Sequence, residues 1–257
     1  MISTKIISDL ANNVLTLTIN NPEKRNAFDG EMSQTVSEQI KSADARGARV
    51  IVITSTLSNG IFSAGHDLNE LKNASDLAHD PMFEMFDAIQ ACPLPVVAKV
   101  SGRVFAGALH MLIVCDMVYA TRDTQMIITA NKMGVPFDIR DYQNWMAVMG
   151  VHKLKALFFR CTPINAEDAY NAGIINTLCD TPEALDQKIA DVCESIRGAV
   201  KEGIANSKLQ INTLCREVCL KESTVAAIEK SRQEVFESDW FKQDVQNLID
   251  KIHHKHA

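Results

Sequence analysis

Two short glycine-bearing segments carry the residues best suited to chemistry. FSAGHDLNEL spans residues 62–71, and GRVFAGALHMLIVCD spans residues 102–116. In each, a turn of small residues leads directly into a helical pattern, so the backbone N–H groups near His66 and Gly107 lack acceptors within the helix. Such groups bind oxygen anions, and two of them facing one cavity would form an oxyanion hole. A second histidine, His110, follows one helical turn after Gly107.

Strand and helix patterns alternate around these turns. Residues 14–20 alternate apolar and polar side chains, as a half-exposed strand does. Residues 49–55 and 94–100 are continuous β-rich apolar runs, typical of strands covered on both faces. Helical patterns cover residues 29–45, 82–91, 107–115, 142–148 and 153–159. This alternation predicts an α/β fold.

The last third of the chain contains only helical patterns. They cover residues 185–198, 205–228 and 241–253, each with an apolar and a polar face. We therefore expect a helical C-terminal part that packs on the core or on a neighbouring copy.

Composition is that of an ordinary globular protein. The 257 residues are 46% hydrophobic and 23% charged, with a formal net charge of -6, which argues against a nucleic-acid or anionic-membrane surface. The first twenty residues lack the pattern of a secretory signal, and no stretch is long enough to span a membrane, so we expect a cytoplasmic protein. Seven cysteines without zinc-ligand spacing indicate buried, reduced thiols and no metal site.

The two segments belong to a set of five motifs that resembles the crotonase superfamily, the enoyl-CoA hydratase/isomerase group. NPEKRNAF at residues 21–28 is similar to the family's NPxxxNAL loop, FSAGHDLNEL to its FxAGxDLxEL loop, and GRVFAGALHMLIVCD to its GxxxGGGxxLxxxCD segment. CTPINAEDAYNAGIINTLCD at residues 161–180 resembles a further family segment, whereas NKMGVPFDIR at residues 131–140 matches lxxGixPxxG only in part. The motifs follow the family's order and span nearly the whole chain.

The resemblance implies an α/β crotonase spiral of ββα repeats with a C-terminal helical trimerisation region. On this basis we expect the spiral core over residues 1–195 and the helical region over residues 196–257. The implied partner is an acyl-CoA thioester, bound by a homotrimer or hexamer. Coenzyme A is part of that substrate, so no separate cofactor is expected.

The same resemblance assigns roles to individual residues. The thioester carbonyl would lie between the backbone N–H groups of His66 and Gly107, which would stabilise an enolate, and one such donor contributes about 3 to 4 kcal/mol. Contacts with coenzyme A and the acyl group are implied for Lys24, Arg25, Ala64, Gly65, Asp67, Leu68 and Phe137. For Lys24 and Arg25 the alternative is a pair of solvated loop charges.

The chain departs from the family where a typical hydratase activates water. Alignment on Gly107 places His110 at the first catalytic glutamate, and alignment on Gly134 places Ala130 at the second. Two carboxylates are needed because one takes a proton from water while the other manages the proton at the α-carbon. Their replacement argues against plain hydration by the usual mechanism.

Three other residues could supply catalytic groups, each with a structural alternative. His66 is expected to contact substrate, and family members resembling methylmalonyl-CoA decarboxylase also carry FSAGHD; otherwise it is a loop histidine satisfied by neighbours. His110 would act as acid, base or hydrogen-bond donor in the same cavity, or would pack there as a neutral ring. Asp138 is the preferred general base, as in dienoyl-CoA isomerase-like and dehalogenase-like members, or it caps the next helix or pairs with Arg140.

The sequence thus predicts an acyl-CoA enzyme of fatty acid metabolism, a lyase or isomerase. The favoured reaction is proton transfer or double-bond isomerisation with Asp138 as base, and Arg140, Asp141 and Tyr142 are lower-ranked candidates. Decarboxylation of a malonyl-type thioester is an alternative, because loss of carbon dioxide creates the enolate without a base. Phe137 weakens it, since decarboxylase-like members carry a tyrosine there. A third hypothesis is an acyl-CoA-binding protein with little catalysis.

Overall fold

A computed structural model describes residues 5–73, 80–132, 134–135, 137–216 and 222–254. Within these ranges the strands are β1 (Ile6–Ala11), β2 (Val14–Ile19), β3 (Val50–Ser55), β4 (Ile61–Ser63), β5 (Val96–Val100), β6 (Arg103–Phe105), β7 (Met117–Thr121), β8 (Gln125–Ile127), β9 (Ile164–Asn165) and β10 (Thr177–Cys179). The helices are α1 (Gly30–Ala43), α2 (Leu68–Asn73), α3 (Pro81–Ala91), α4 (Ala106–Val114), α5 (Ile139–Arg160), α6 (Ala166–Asn171), α7 (Pro182–Gly198), α8 (Lys201–Arg216), α9 (Glu222–Glu237) and α10 (Asp239–His254).

From β3 to β8, successive pairs of strands give one strand to each of two sheets. The larger sheet has the order β1-β2-β3-β5-β7-β10, and the smaller one has the order β4-β6-β8-β9. Within each sheet the strands from successive pairs run parallel. Helices follow each pair, α2 and α3 after β4, α4 after β6, and α5 after β8. The chain is therefore a spiral of ββα repeats, as the sequence predicts.

The predicted strands are confirmed, whereas β1 and the short strands β4, β6, β9 and β10 were not predicted. Residues 14–20, 49–55 and 94–100 contain β2, β3 and β5. β1 pairs antiparallel with β2 through Asn12 and Asn13, whose φ angles are 49° and 60°. Two consecutive positive φ angles form the two-residue hairpin turn that suits the twist of paired strands.

Helix α5 spans two predicted helices. The sequence predicts separate helices over residues 142–148 and 153–159, and the structure joins them across Gly150, whose φ of 71° and ψ of 163° are not helical. The predicted helix over residues 205–228 is described instead as the two helices α8 and α9, and residues 217–221 between them lie outside the described ranges.

The C-terminal helices make different contacts. Phe241 and Val245 of α10 are buried in a cluster that includes Leu68 and Val135, so α10 packs on the core. Helix α8 contacts α5 and exposes apolar side chains on its outer face: Leu209, Ile211 and Leu214. Assembly into a trimer or hexamer stays a prediction. No described helix is both long and apolar enough to cross a membrane.

The described cysteines are all free thiols. Cys92, Cys161, Cys179 and Cys193 are buried and Cys115 is half-buried, as the sequence predicts. Cys215 is exposed on α8, which corrects the expectation for that residue, and Cys219 lies outside the described ranges.

Candidate active site

His66 lies in the loop before α2, which pairs with Phe28 of the loop at residues 21–28. This pairing directs the N–H of His66 away from Phe28. Phe28 and His66 form an isolated parallel β-bridge. Phe28 N donates to Gly65 O at 2.7 Å, and Asp67 N donates to Phe28 O at 2.8 Å. Because successive peptide groups of extended backbone point to opposite sides, the N–H of His66 faces away from Phe28. It faces the start of α4, where a Cβ built on Gly107 would lie 3.5 Å from His66 N.

Gly65 allows the turn that carries His66 to approach the turn between β6 and α4 closely. Its φ is +88°, and a Cβ there would lie 2.8 Å from Phe105 O and 3.1 Å from Gly107 N, which glycine alone avoids. Gly107 is in the first turn of α4, so its N–H has no acceptor within the helix. The backbone nitrogens of His66 and Gly107 therefore lie close to each other. Their action as a pair of donors to one oxygen atom stays a prediction.

The loop at residues 21–28 closes against the His66 turn. Ala64 N donates to Arg25 O at 3.0 Å, and Lys24 Nζ lies 2.5 Å from Asp67 Oδ2. This hydrogen bond raises the pKa of Lys24. Burial raises the pKa of Asp67, but the Lys24 ammonium and other donors outweigh it and hold that pKa below its usual value. Lys24 is thus paired with the turn, and its contact with coenzyme A stays a prediction.

Two acceptors hold the ring of His66. Nε2 lies 2.8 Å from Asp80 Oδ2, and Nδ1 lies 3.0 Å from Asp67 O. Burial lowers the pKa of His66, but the hydrogen bond and charge of Asp80 outweigh it, so the pKa is raised. Asp80 is buried at the start of α3, where it also accepts from Met82 N at 2.8 Å. The ring of His66 is satisfied by neighbours while its N–H faces Gly107.

His110 is fully buried in an aromatic cluster. Its ring centroid lies 4.7 Å from Phe86, 6.1 Å from Phe137 and 5.9 Å from Trp145. Nε2 lies 3.0 Å from Asp141 Oδ1, yet neither ring nitrogen makes a hydrogen bond within the described residues, because the carboxylate lies off the N–H direction.

Asp138 caps the start of α5 and pairs with Arg140. Its Oδ1 accepts from Arg140 N at 2.8 Å and from Arg140 Nε at 3.2 Å. Asp138 N donates to Asp141 Oδ2 at 3.1 Å, which completes a capping box. Both structural alternatives for Asp138, the cap and the pair with Arg140, are therefore observed. Its role as general base stays a prediction, and Asp141 is the carboxylate that contacts His110.

A cavity of about 220 Å³ lies between α3 and α5, next to this contact. Phe86 and Asp141 line the cavity and also contact His110. Gln90 Nε2 donates to Asn144 Oδ1 at 2.9 Å between the two helices. The remaining lining residues are Phe83, Asp87, Arg140 and Gln143.

Sequence reasoning missed Asp80 and ranked Asp141 low. Asp80 precedes Pro81 and an apolar run, which is the pattern of a helix start, so its capping role could have been predicted. No sequence signal links its second carboxylate oxygen to His66. The contact of Asp141 with His110 likewise depends on how α5 packs against α4.

The two sheets, the spiral of ββα repeats and the paired turns define a crotonase-fold protein. A family model described as Enoyl-CoA hydratase/isomerase matches residues 9–255, and the chain belongs to that family.

Individual relatives show which members are similar. Methylmalonyl-CoA decarboxylase of Escherichia coli (strain K12) is 25% identical over 243 residues, covering 93% of each chain. A solved structure of methylmalonyl-CoA decarboxylase in complex with 2-nitronate-propionyl-CoA has a TM-score of 0.91 at 24% identity, covering 96% of each chain. The enoyl-CoA hydratase from Bacillus halodurans has a TM-score of 0.83 at 20% identity, covering 95% of this chain and 100% of that one.

Proposed function

We propose that this protein removes carbon dioxide from a malonyl-type acyl-CoA thioester. The bond between the α-carbon and the carboxylate breaks, and its electron pair moves into the thioester carbonyl as carbon dioxide leaves. The enolate oxygen accepts from the N–H groups of His66 and Gly107, and the α-carbon then takes one proton. The observation that carries the proposal is this pair of N–H groups beside positions 110 and 130, which hold histidine and alanine.

Two further features support the proposal. Decarboxylation creates the enolate directly, so it needs stabilisation of the developing charge and no base that removes a carbon-bound proton. The likeness to methylmalonyl-CoA decarboxylase covers 93% of the chain.

The reaction can be tested by mass spectrometry in deuterated water. The protein would be incubated with methylmalonyl-CoA, malonyl-CoA, a 2-enoyl-CoA and a 3-enoyl-CoA. We expect the malonyl-type esters to lose carbon dioxide and to gain deuterium at the α-carbon, because the enolate takes its proton from exchangeable groups. Heat-inactivated protein measures the spontaneous reaction.

Two results would contradict the proposal. Conversion of an enoyl ester without loss of carbon dioxide from either malonyl ester would assign the protein to isomerisation or hydration. Tight acyl-CoA binding without conversion of any ester would make it a binding protein.

The contact between His110 and Asp141 favours a second candidate, double-bond isomerisation. A proton would leave the α-carbon of a 3-enoyl thioester for a protein base and return at the γ-carbon, with the same N–H groups holding the dienolate oxygen. His110 is fully buried, and its Nε2 lies 3.0 Å from the Asp141 carboxylate. Burial and a carboxylate partner are features of an imidazole used for proton transfer.

For this candidate we expect Asp141→Asn to lower isomerisation by about 100-fold, as loss of general-base assistance does. Asp138→Asn is the matched control, because asparagine still caps a helix and the Asp138 carboxylate already pairs with Arg140. Steady-state kinetics on a 3-enoyl-CoA would measure both variants. An inactive Asp138→Asn protein beside an active Asp141→Asn protein would make Asp138 the base.

A further inference from the structure

The contacts of the His66 ring define its protonation state. Nε2 faces a carboxylate oxygen of Asp80 at 2.8 Å, and Nδ1 faces the carbonyl oxygen of Asp67 at 3.0 Å. Both partners are acceptors, and neutral imidazole has only one N–H to donate. Both contacts are hydrogen bonds only when both nitrogens carry a proton, so this geometry favours an imidazolium ion.

The Asp80 carboxylate is fixed in the orientation that this ion requires. One oxygen accepts from Met82 N as the cap of α3, and the other contacts His66. The side chain of Asp80 is 6% exposed and that of His66 is 16% exposed, so little water competes for the pair. The Met82 side chain lies against Gly107, since a Cβ built on Gly107 would be 2.9 Å from Met82 Cε. The first turn of α3 therefore contacts both halves of the N–H pair.

The other charged groups near the ring leave Asp80 as its dominant partner. Glu70 on α2 adds a weaker negative potential, and the Asp67 carboxylate is already paired with Lys24. Helix α4, which carries Gly107, has His110 as its one titratable residue. Burial alone would favour neutral His66, and Asp80 reverses that preference.

We propose that Asp80 is a positioning residue that keeps the ring of His66 protonated, in the same residue whose backbone N–H would bind the enolate oxygen. The inference rests on the proposed function because that reaction supplies the enolate. The protonation of the His66 ring does not depend on it. The positive charge belongs to the same residue whose N–H binds the oxygen, and it stabilises an enolate more than a neutral thioester. Such an interaction raises kcat and changes KM little.

The test compares Asp80→Asn with the unchanged protein across pH. Asparagine retains the helix cap and removes the charge, so His66 should become neutral within the working range. We expect kcat for malonyl-type esters to fall at least about tenfold between about pH 6 and about pH 8 in the variant and much less in the unchanged protein, because lower pH restores the imidazolium. Glu84→Gln, at an exposed position of the same helix, should behave like the unchanged protein.

An NMR titration of the His66 ring tests the inference without any substrate. We expect both ring nitrogens of the unchanged protein to stay protonated to higher pH than those of an ordinary histidine, and Asp80→Asn to lower that pH. An ordinary titration of His66 in the unchanged protein would overturn the proposal even if the variant failed to fold. Equal loss of kcat at every pH would also overturn it, since Asp80 would then be purely structural. If no malonyl-type ester reacts while the ring titrates as expected, the proposed reaction fails and the protonation of His66 stands.

Discussion

Replacing Gly65 by alanine should abolish turnover and lower the free energy of unfolding by about 3 kcal/mol, from left-handed strain and a backbone overlap together. The new Cβ would lie 2.8 Å from Phe105 O and 3.1 Å from Gly107 N. Both atoms belong to backbone, so the overlap is relieved only by moving the β6–α4 turn away from the His66 turn. That movement would separate the N–H groups of His66 and Gly107.

Gly47→Ala is the matched control for this variant. Gly47 has a φ of +86°, close to the +88° of Gly65, but a Cβ there would meet nothing within 4 Å. It should lose only the strain of a left-handed alanine, about 1 to 2 kcal/mol, and keep full turnover. Urea unfolding and acyl-CoA kinetics would measure both. If Gly65→Ala and Gly47→Ala lost the same stability, and Gly65→Ala also kept its turnover, the close approach of the two turns would not be required.

Replacing Lys208 by methionine should cost about 3 to 5 kcal/mol of stability, the usual effect of breaking a buried ion pair from one side. The Lys208 side chain is 8% exposed, and its Nζ donates to Asp116 Oδ2 at 2.7 Å. It also donates to Ile89 O at 3.1 Å and to Leu94 O at 3.0 Å. Burial raises the pKa of Asp116 against the opposing charge of Lys208, so removing that charge leaves a carboxylate with little solvation.

Lys201→Met on the same helix is the control for Lys208. Lys201 pairs with Asp44 at a half-exposed position, where an ion pair contributes at most about 1 kcal/mol. Thermal and urea unfolding would compare the variants. Adding Asp116→Asn to Lys208→Met should recover part of the loss, because the unpaired charge is then absent. Equal losses for the two lysines would show that Lys208 does not anchor α8.

Local patterns were sufficient for most of the fold. The runs in β3 and β5 are buried on both faces, so continuous apolar sequence predicts them. β1 reads IISDLA, without strict alternation, and it is a strand because the turn at Asn12 and Asn13 folds it onto β2. Gly150 has non-helical angles and kinks α5, so the two helices predicted on either side of it are two helical segments that meet at this residue.

The candidate site was predictable only where it is made from contiguous residues. The turns at His66 and Gly107 each lie within one motif, and glycine at the close approach is visible in the sequence. The contacts of Asp80 and Asp141 join separate elements, so side-chain identity alone does not assign them. Lys208 lies in a helix of ordinary amphipathic pattern, and its burial follows from the carbonyl groups that α3 and the following turn present to it.

The packing of α10 on Leu68 and Val135 has a consequence for the order of folding. Leu68 follows the His66 turn, Val135 lies between β8 and α5, and both are synthesised before the helix that contacts them. A nascent chain can therefore wind its spiral while these apolar side chains still face water. Until α10 docks, that uncovered surface is available to chaperones and to other unfinished chains. We expect the arrival of α10 to mark the end of the aggregation-prone stage of synthesis.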